Sequence, residues 1–243
     1  MRMLTFANRN TKEILRDPLT LFFGLGFPLV LILLLSAIQA NIPVALFEIQ
    51  HLTPGITIFG LSFMTLFSAT LIAKDRGSSL LQRLYTTPLT ATDFILGYTL
   101  PILPIAVAQC VICYIAAIIL GLKITIGILY AVVLIIPVSI LYIALGLLCG
   151  SVFNDKQVGG ICGALLTNVS AWLSGVWFDL DLVGGTFKKI AYLFPFVHAV
   201  ELERAVLEEN FAGIFSHLWW ILGYAAVSTA SAIYLFLRQM KRQ

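Results

Sequence analysis

Ala131–Leu148 reads AVVLIIPVSILYIALGLL. Eighteen residues pass without a charge, inside a longer uncharged stretch that runs from Ile124 to Asn154. There is no alternation of polar and apolar positions, so the run does not read as a strand of a lipid-facing barrel. It is long enough for an apolar helix to cross a bilayer, which takes about 20 residues. Inside lipid each backbone N–H and C=O must be bonded within its own segment, and a continuous apolar run meets that demand as a helix.

The same pattern recurs along the chain. Pro18–Phe47, Ile49–Ala73, Phe94–Leu122, Gln157–Phe178 and Asn210–Leu237 also lack Asp, Glu, Lys and Arg. Of the 243 residues 60% are hydrophobic and 11% charged, and the mean hydropathy is +0.98. Soluble domains carry about a quarter charged residues. The reading is an all-α membrane protein with six transmembrane helices, roughly 20–40, 54–73, 95–120, 125–150, 158–178 and 216–237. The first apolar run starts too late for a signal peptide and lacks a small-residue cleavage site, so the N-terminus is expected to be retained.

Basic residues orient the spans. Arg2, Arg9, Lys12, Arg16, Lys74, Arg76, Arg83, Lys156, Arg238, Lys241 and Arg242 fall on one side; Lys123, Lys188, Lys189 and Arg204 fall on the other. The richer side is expected to be cytoplasmic, with both termini there. A net charge of +3 reflects this bias and gives no reason to expect nucleic acid as a partner.

Between the spans, three segments stand out. In 1–17, Met3, Phe6, Ala7, Asn10 and Ile14 share one helical stripe, as expected of an amphipathic helix on the cytoplasmic membrane surface. A plain basic flank is the alternative. Pro18 then ends or bends it. In 74–94, Leu80, Leu81, Leu84 and Tyr85 form an apolar face on a short helix, followed by Pro88 and a Thr90–Asp93 capping-box spacing that opens the third span. In 179–215, a charged loop breaks at Pro195 and is expected to form two half-helices re-entering the outer interface, with Asp179, Asp181, Glu201, Glu203, Glu208 and Glu209 ringing its exposed face.

Within the spans, Pro101, Pro104 and Pro137 are expected to bend their helices. Gly146-x-x-x-Gly150 and Gly159, Gly160 and Gly163 supply flat faces for close helix packing. Cys110, Cys113, Cys149 and Cys162 all fall inside spans and read as small packing residues.

The chemistry missing from the chain narrows its function. It has no G-x-x-x-x-G-K-[ST] phosphate loop and no zinc spacing. No charge lies well inside a predicted span, where ion-coupled carriers and proton relays place them. No catalytic or metal-ligating residue is assigned. A transporter driven from outside its own chain fits best; a nucleotide-independent channel or scaffold is the alternative.

KDRGSSLLQRLYTTPLTATDFILGYTL, Lys74–Leu100, resembles the cytoplasmic loop of ABC-2 type permeases, the membrane subunits of ABC exporters of the daunorubicin-resistance and nodulation-export kind. Lys74, Asp75, Arg76, Leu80, Leu84, Thr87, Pro88 and Gly97 stand at matching places. Gly77-Ser78-Ser79 replaces the family's frequent Glu-Gly-Thr, and Tyr98 stands where a basic residue often follows the glycine. YLFPFVHAVELERAV, Tyr192–Val206, is similar to the family's Pro-containing segment before the last span.

The resemblance covers the whole chain, 1–243, as one ABC-2 type transmembrane domain. It implies a multi-pass protein of a bacterial or archaeal cell membrane that pairs with a second permease copy or paralogue and with a cytoplasmic ABC ATPase. Mg-ATP would be bound by the ATPase and no cofactor by this chain. Arg76, Leu80, Leu81, Arg83, Leu84 and Tyr85 would contact the ATPase as a coupling helix. Phe23, Phe27, Phe59, Phe63, Phe67, Asn168, Trp172 and Trp177 are the candidate lining of a path for a lipophilic or amphiphilic cargo: a drug, a lipid, a lipid-linked glycan or a hydrophobic peptide.

Overall fold

A computed structural model describes residues 2–43, 47–78 and 90–240. The described residues are 86% helical and include no strand. Helix α1 is Arg2–Leu15 and α2 is Pro18–Gln39, with a π-helical turn at Phe22–Gly26. Then come α3 (Ile49–Gly77), α4 (Ala91–Ile119) and α5 (Ile126–Val152). The α6 helix spans 155–173 and contains a π-helical segment, Gly159–Leu166. Short helices α7 (Leu180–Val183) and α8 (Gly185–Ala191) lead into α9 (Pro195–Leu207) and the last helix, α10 (Phe211–Met240).

Among the described residues, five helices are long and apolar enough to cross a membrane: α2, α3, α4, α5 and α10. The fifth expected span, 158–178, is a helix of a different kind. It ends at Leu173, and nearly half of it is π-helical. Its wider turns coincide with Gly159, Gly160 and Gly163, which impose little side-chain constraint on the backbone. A Cβ at Gly159 or Gly160 would meet nothing within 4 Å. Among the described residues of one chain these two glycines pack against nothing, and Gly163 makes only ordinary contact with Leu66.

α3 is the central helix: 83% of its most apolar window is buried, against 17% for α2. Its buried hydroxyls do the close work. Thr65 Oγ1 donates to Tyr142 O at 2.7 Å and Ser68 Oγ reaches Ile143 O at 3.2 Å, both on α5. Gly146 allows this approach, since a Cβ there would overlap Ser68 Oγ and the Thr65 carbonyl. Gly150 does the same against Ala69. The small-x-x-x-small pattern is here a real packing face.

Pro101, Pro104 and Pro137 lie within unbroken helical runs of α4 and α5. Pro18 and Pro195 instead occupy first-turn positions of α2 and α9, where a missing N–H costs no hydrogen bond. Cys110, Cys113 and Cys162 are buried free thiols and Cys149 is half-buried.

The largest departure concerns α9. Ten of its residues are buried, among them Glu203, which is fully covered rather than on an exposed face. The helical period explains it: Phe196, Ala199, Val200, Glu203 and Val206 share one side of α9, which packs among α3, α5 and α10.

Candidate functional site

The stripe on α1 is Phe6, Ala7, Asn10 and Ile14, all buried, with Met3 half-buried. It packs on the start of α4 rather than lying free. Phe6 meets the Tyr98 ring edge-on at 5.0 Å, and Phe94 meets it at 4.7 Å. Phe94 in turn stacks on Phe236 of α10 at 3.7 Å. A Cβ at Gly97 would run into the Phe6 ring, so glycine is what lets α1 seat here. Asn10 fixes the register: its Nδ2 donates to Gly97 O at 3.0 Å.

The polar centre of this junction is Asp75, in the last turn of α3. Arg9 Nη1 and Nη2 donate to its two oxygens at 2.6 and 2.8 Å, a forked pairing. The Tyr98 hydroxyl donates to Asp75 Oδ2 at 2.7 Å. Arg9 also pairs with Glu13 at 2.8 Å and donates to Asn10 Oδ1 at 2.8 Å. The Asp75 side chain is 3% exposed and that of Arg9 38%. Burial alone would lower the pKa of Arg9; its hydrogen bonds to Asp75 and the charge of that carboxylate more than offset this, so the guanidinium is held charged.

Arg76 points the other way. Its Nη1 donates to Gly150 O at 2.7 Å and Phe153 O at 3.3 Å, the open carbonyls at the end of α5. On the far side of the loop, the Thr90–Asp93 capping box is present in full. Asp93 N donates to Thr90 Oγ1 at 3.2 Å, and Thr90 N to Asp93 Oδ2 at 3.0 Å. Both ends of the 79–89 segment are thus anchored to four helices: α1, α3, α4 and α5. Leu80, Leu81, Arg83, Leu84 and Tyr85 lie outside the described residues.

Of the path candidates, Phe23, Phe27, Phe59, Phe63 and Trp177 form one chain of ring contacts, with centroids 5.4–6.4 Å apart. Phe67 lies beside Gly24 in the same wall. Asn168 and Trp172 do not join it. Both are exposed, and Asn168 Nδ2 bonds its own helix at Ala164 O, 2.8 Å away.

At the opposite end of the bundle, sequence reasoning missed a buried polar pair. The Tyr114 hydroxyl donates to Glu203 Oε2 at 2.8 Å, and Glu203 Oε1 is buried with no hydrogen-bond partner among the described residues. Burial pushes the Glu203 carboxyl up to about 8, against the opposing Tyr114 hydrogen bond. Nearby, His198 and His217 bring their Nδ1 atoms to 2.9 Å, and His198 Nε2 faces Tyr192 O at 3.1 Å. No group of three or more His, Cys, Asp or Glu is placed to hold a metal among the described residues.

The model of the ABC-2 type transporter family matches residues 2–207. The chain belongs to the ABC-2 type transporter family. The match takes in α1, the loop and its anchors, and ends with α9. The chain is therefore the membrane permease component of an ABC transporter, a transport subunit of a family that works with an ABC ATPase. No curated protein matches the chain.

Proposed function

We propose that this ABC-2 permease is the membrane subunit of an ATP-driven exporter that moves a lipophilic or amphiphilic compound outward across a bacterial or archaeal cell membrane. The family match over residues 2–207 carries the reading. A separate ATPase supplies Mg-ATP hydrolysis, and two permeases, identical or paralogous, form the path between them. The chain crosses the membrane six times, with 158–178 as the fifth span and both termini in the cytoplasm. The 179–215 segment re-enters from outside, and α1 rests at the cytoplasmic interface.

In this reading the segment around Leu80, Leu81, Arg83, Leu84 and Tyr85 is the coupling helix held by the ATPase. The junction of Arg9, Asp75 and Tyr98 supports the mechanism: a pull on 79–89 reaches α3 and α4 through their anchored ends, and α1 moves with them. α3 is 29 residues, about 43 Å, so it outreaches a hydrocarbon core of about 30 Å and delivers the movement beyond the membrane. Phe27, Phe59, Phe63 and Trp177 of the aromatic wall face the second permease and line the path, while Phe23 and Phe67 lie at the wall's cytoplasmic end, on the side turned to lipid.

The test is co-expression with the ABC ATPase encoded beside this chain, followed by co-purification and an ATPase assay. A Leu80→Asp, Leu84→Asp double variant is expected to release the ATPase from the membrane. A complex that survives with unchanged ATPase activity overturns the coupling-helix assignment. Uptake of labelled amphiphiles into inverted vesicles identifies the cargo class.

A further inference from the structure

A groove of about 390 Å³ runs along the side of the bundle where α1 ends and α2 begins. Its wall is apolar: Phe23, Leu66, Phe67 and Leu71. Its mouth carries four charges, Glu13, Arg16, Asp17 and Lys74. The two acids are engaged. Glu13 pairs with Arg9 at 2.8 Å. Asp17 caps α2, accepting from Leu19 N, Thr20 N and Thr20 Oγ1 at 2.9–3.3 Å. The two cations are not: the side chains of Arg16 and Lys74 make no hydrogen bond or ion pair among the described residues, and Lys74 acts on Asp17 only at longer range. Both are exposed.

Depth fixes the class of occupant. Lys74 and Leu66 lie eight residues apart on one helix, about 12 Å along its axis. Pro18 starts the first span, so Arg16 and Asp17 sit at the membrane–water boundary. The groove thus begins at headgroup level with two free positive charges and continues into the hydrocarbon as an apolar wall. α2, which walls the groove with Leu19, Thr20 and Phe23, is the least buried of the five long helices, so the groove lies at the edge of the bundle within reach of a lipid in its leaflet.

We propose that this groove is a binding site for an anionic phospholipid of the adjoining leaflet. Its phosphate lies between Arg16 and Lys74, and the upper part of one acyl chain lies along Leu66, Phe67 and Phe23. The site needs neither the ATPase nor a cargo, and its test is independent of transport.

The probe is a phosphatidylglycerol carrying a photoreactive acyl chain, mixed into nanodiscs of phosphatidylcholine with the purified full chain. Labelling is expected in peptides containing 13–23 and 66–74. It is expected to fall about 30-fold in an Arg16→Gln, Lys74→Gln variant, from about fivefold per basic group. An Arg16→Lys, Lys74→Arg variant keeps both charges and is expected to keep the labelling, which separates lost charge from lost fold. Equal labelling by a photoreactive phosphatidylcholine, or unchanged labelling in the neutralised variant, overturns the proposal. So does a disulfide between two copies carrying Thr70→Cys, which would put a second permease in the groove instead.

Discussion

Removing Arg9 tests whether the end of α3 is clamped. Asp75 is a nearly covered carboxylate with three donors: two from Arg9 and one from Tyr98. Breaking a fully buried ion pair from one side costs about 3–5 kcal/mol, because the surviving charge is left without its partner. Arg9 is about a third exposed, and Tyr98 still holds one oxygen, so Arg9→Met is expected to cost about 2–3 kcal/mol. Asp75→Leu leaves Arg9 with Glu13 as a partner and is expected to cost less. With both replaced there is no stranded charge, and the loss is expected to fall well short of the sum. The coupling energy from this double-mutant cycle is then about 2 kcal/mol. Reversible unfolding by SDS in mixed micelles, followed by tryptophan fluorescence, measures it. A coupling below about 0.5 kcal/mol, the range of exposed ion pairs, would falsify the clamp.

Glu203 gives a pH dependence of definite sign. Its folded carboxyl binds a proton up to about pH 8, whereas the unfolded one releases it near 4.5. The folded state therefore holds the extra proton between these values, and stability falls as pH rises from about 4.5 to about 8. Glu203→Gln is expected to flatten that slope when unfolding is compared at pH 5 and pH 8.5. Gly146→Ala forces a methyl into Ser68 and the Thr65 carbonyl and is expected to destabilise by about 1–3 kcal/mol or more. Gly160→Ala, with nothing within 4 Å of the new methyl, is expected to be neutral or stabilising in the same assay. Thr90→Ala removes a capping box and is expected to cost about 0.5–2 kcal/mol, seen as earlier hydrogen exchange in the first turn of α4.

Features set by nearest neighbours along the chain were legible in the sequence. Continuous apolar runs gave the long helices, the α1 stripe gave its buried side, and Thr90-x-x-Asp93 gave its cap. What the stripe could not reveal was its partner. A stripe that suits a membrane surface equally suits another helix, and only the fold brings α4 to it. The Arg9–Asp75 pair joins residues 66 apart, with nothing local to couple them. Glu203 was hidden differently. Glu201, Glu203 and Arg204 lie close together and read as a charged surface, yet Phe196, Val200, Glu203 and Val206 already had helical spacing. That period was the available signal. Gly159 and Gly160 show the reverse case, a packing pattern with nothing packed against it among the described residues of one chain.

The seat of α1 also sets a timetable for the chain's own assembly. Arg9 is made early, but Gly97 and Tyr98, which complete its seat, follow almost ninety residues later. At about 5–20 residues per second, the ribosome takes roughly 5 to 20 seconds to supply them. For that interval Phe6, Ala7 and Ile14 have no protein to cover them, while the first spans are already entering the bilayer. The membrane surface is the natural waiting place for that face. The one face of α1 can thus serve twice: toward lipid while the nascent chain is incomplete, and toward α4 in the finished protein.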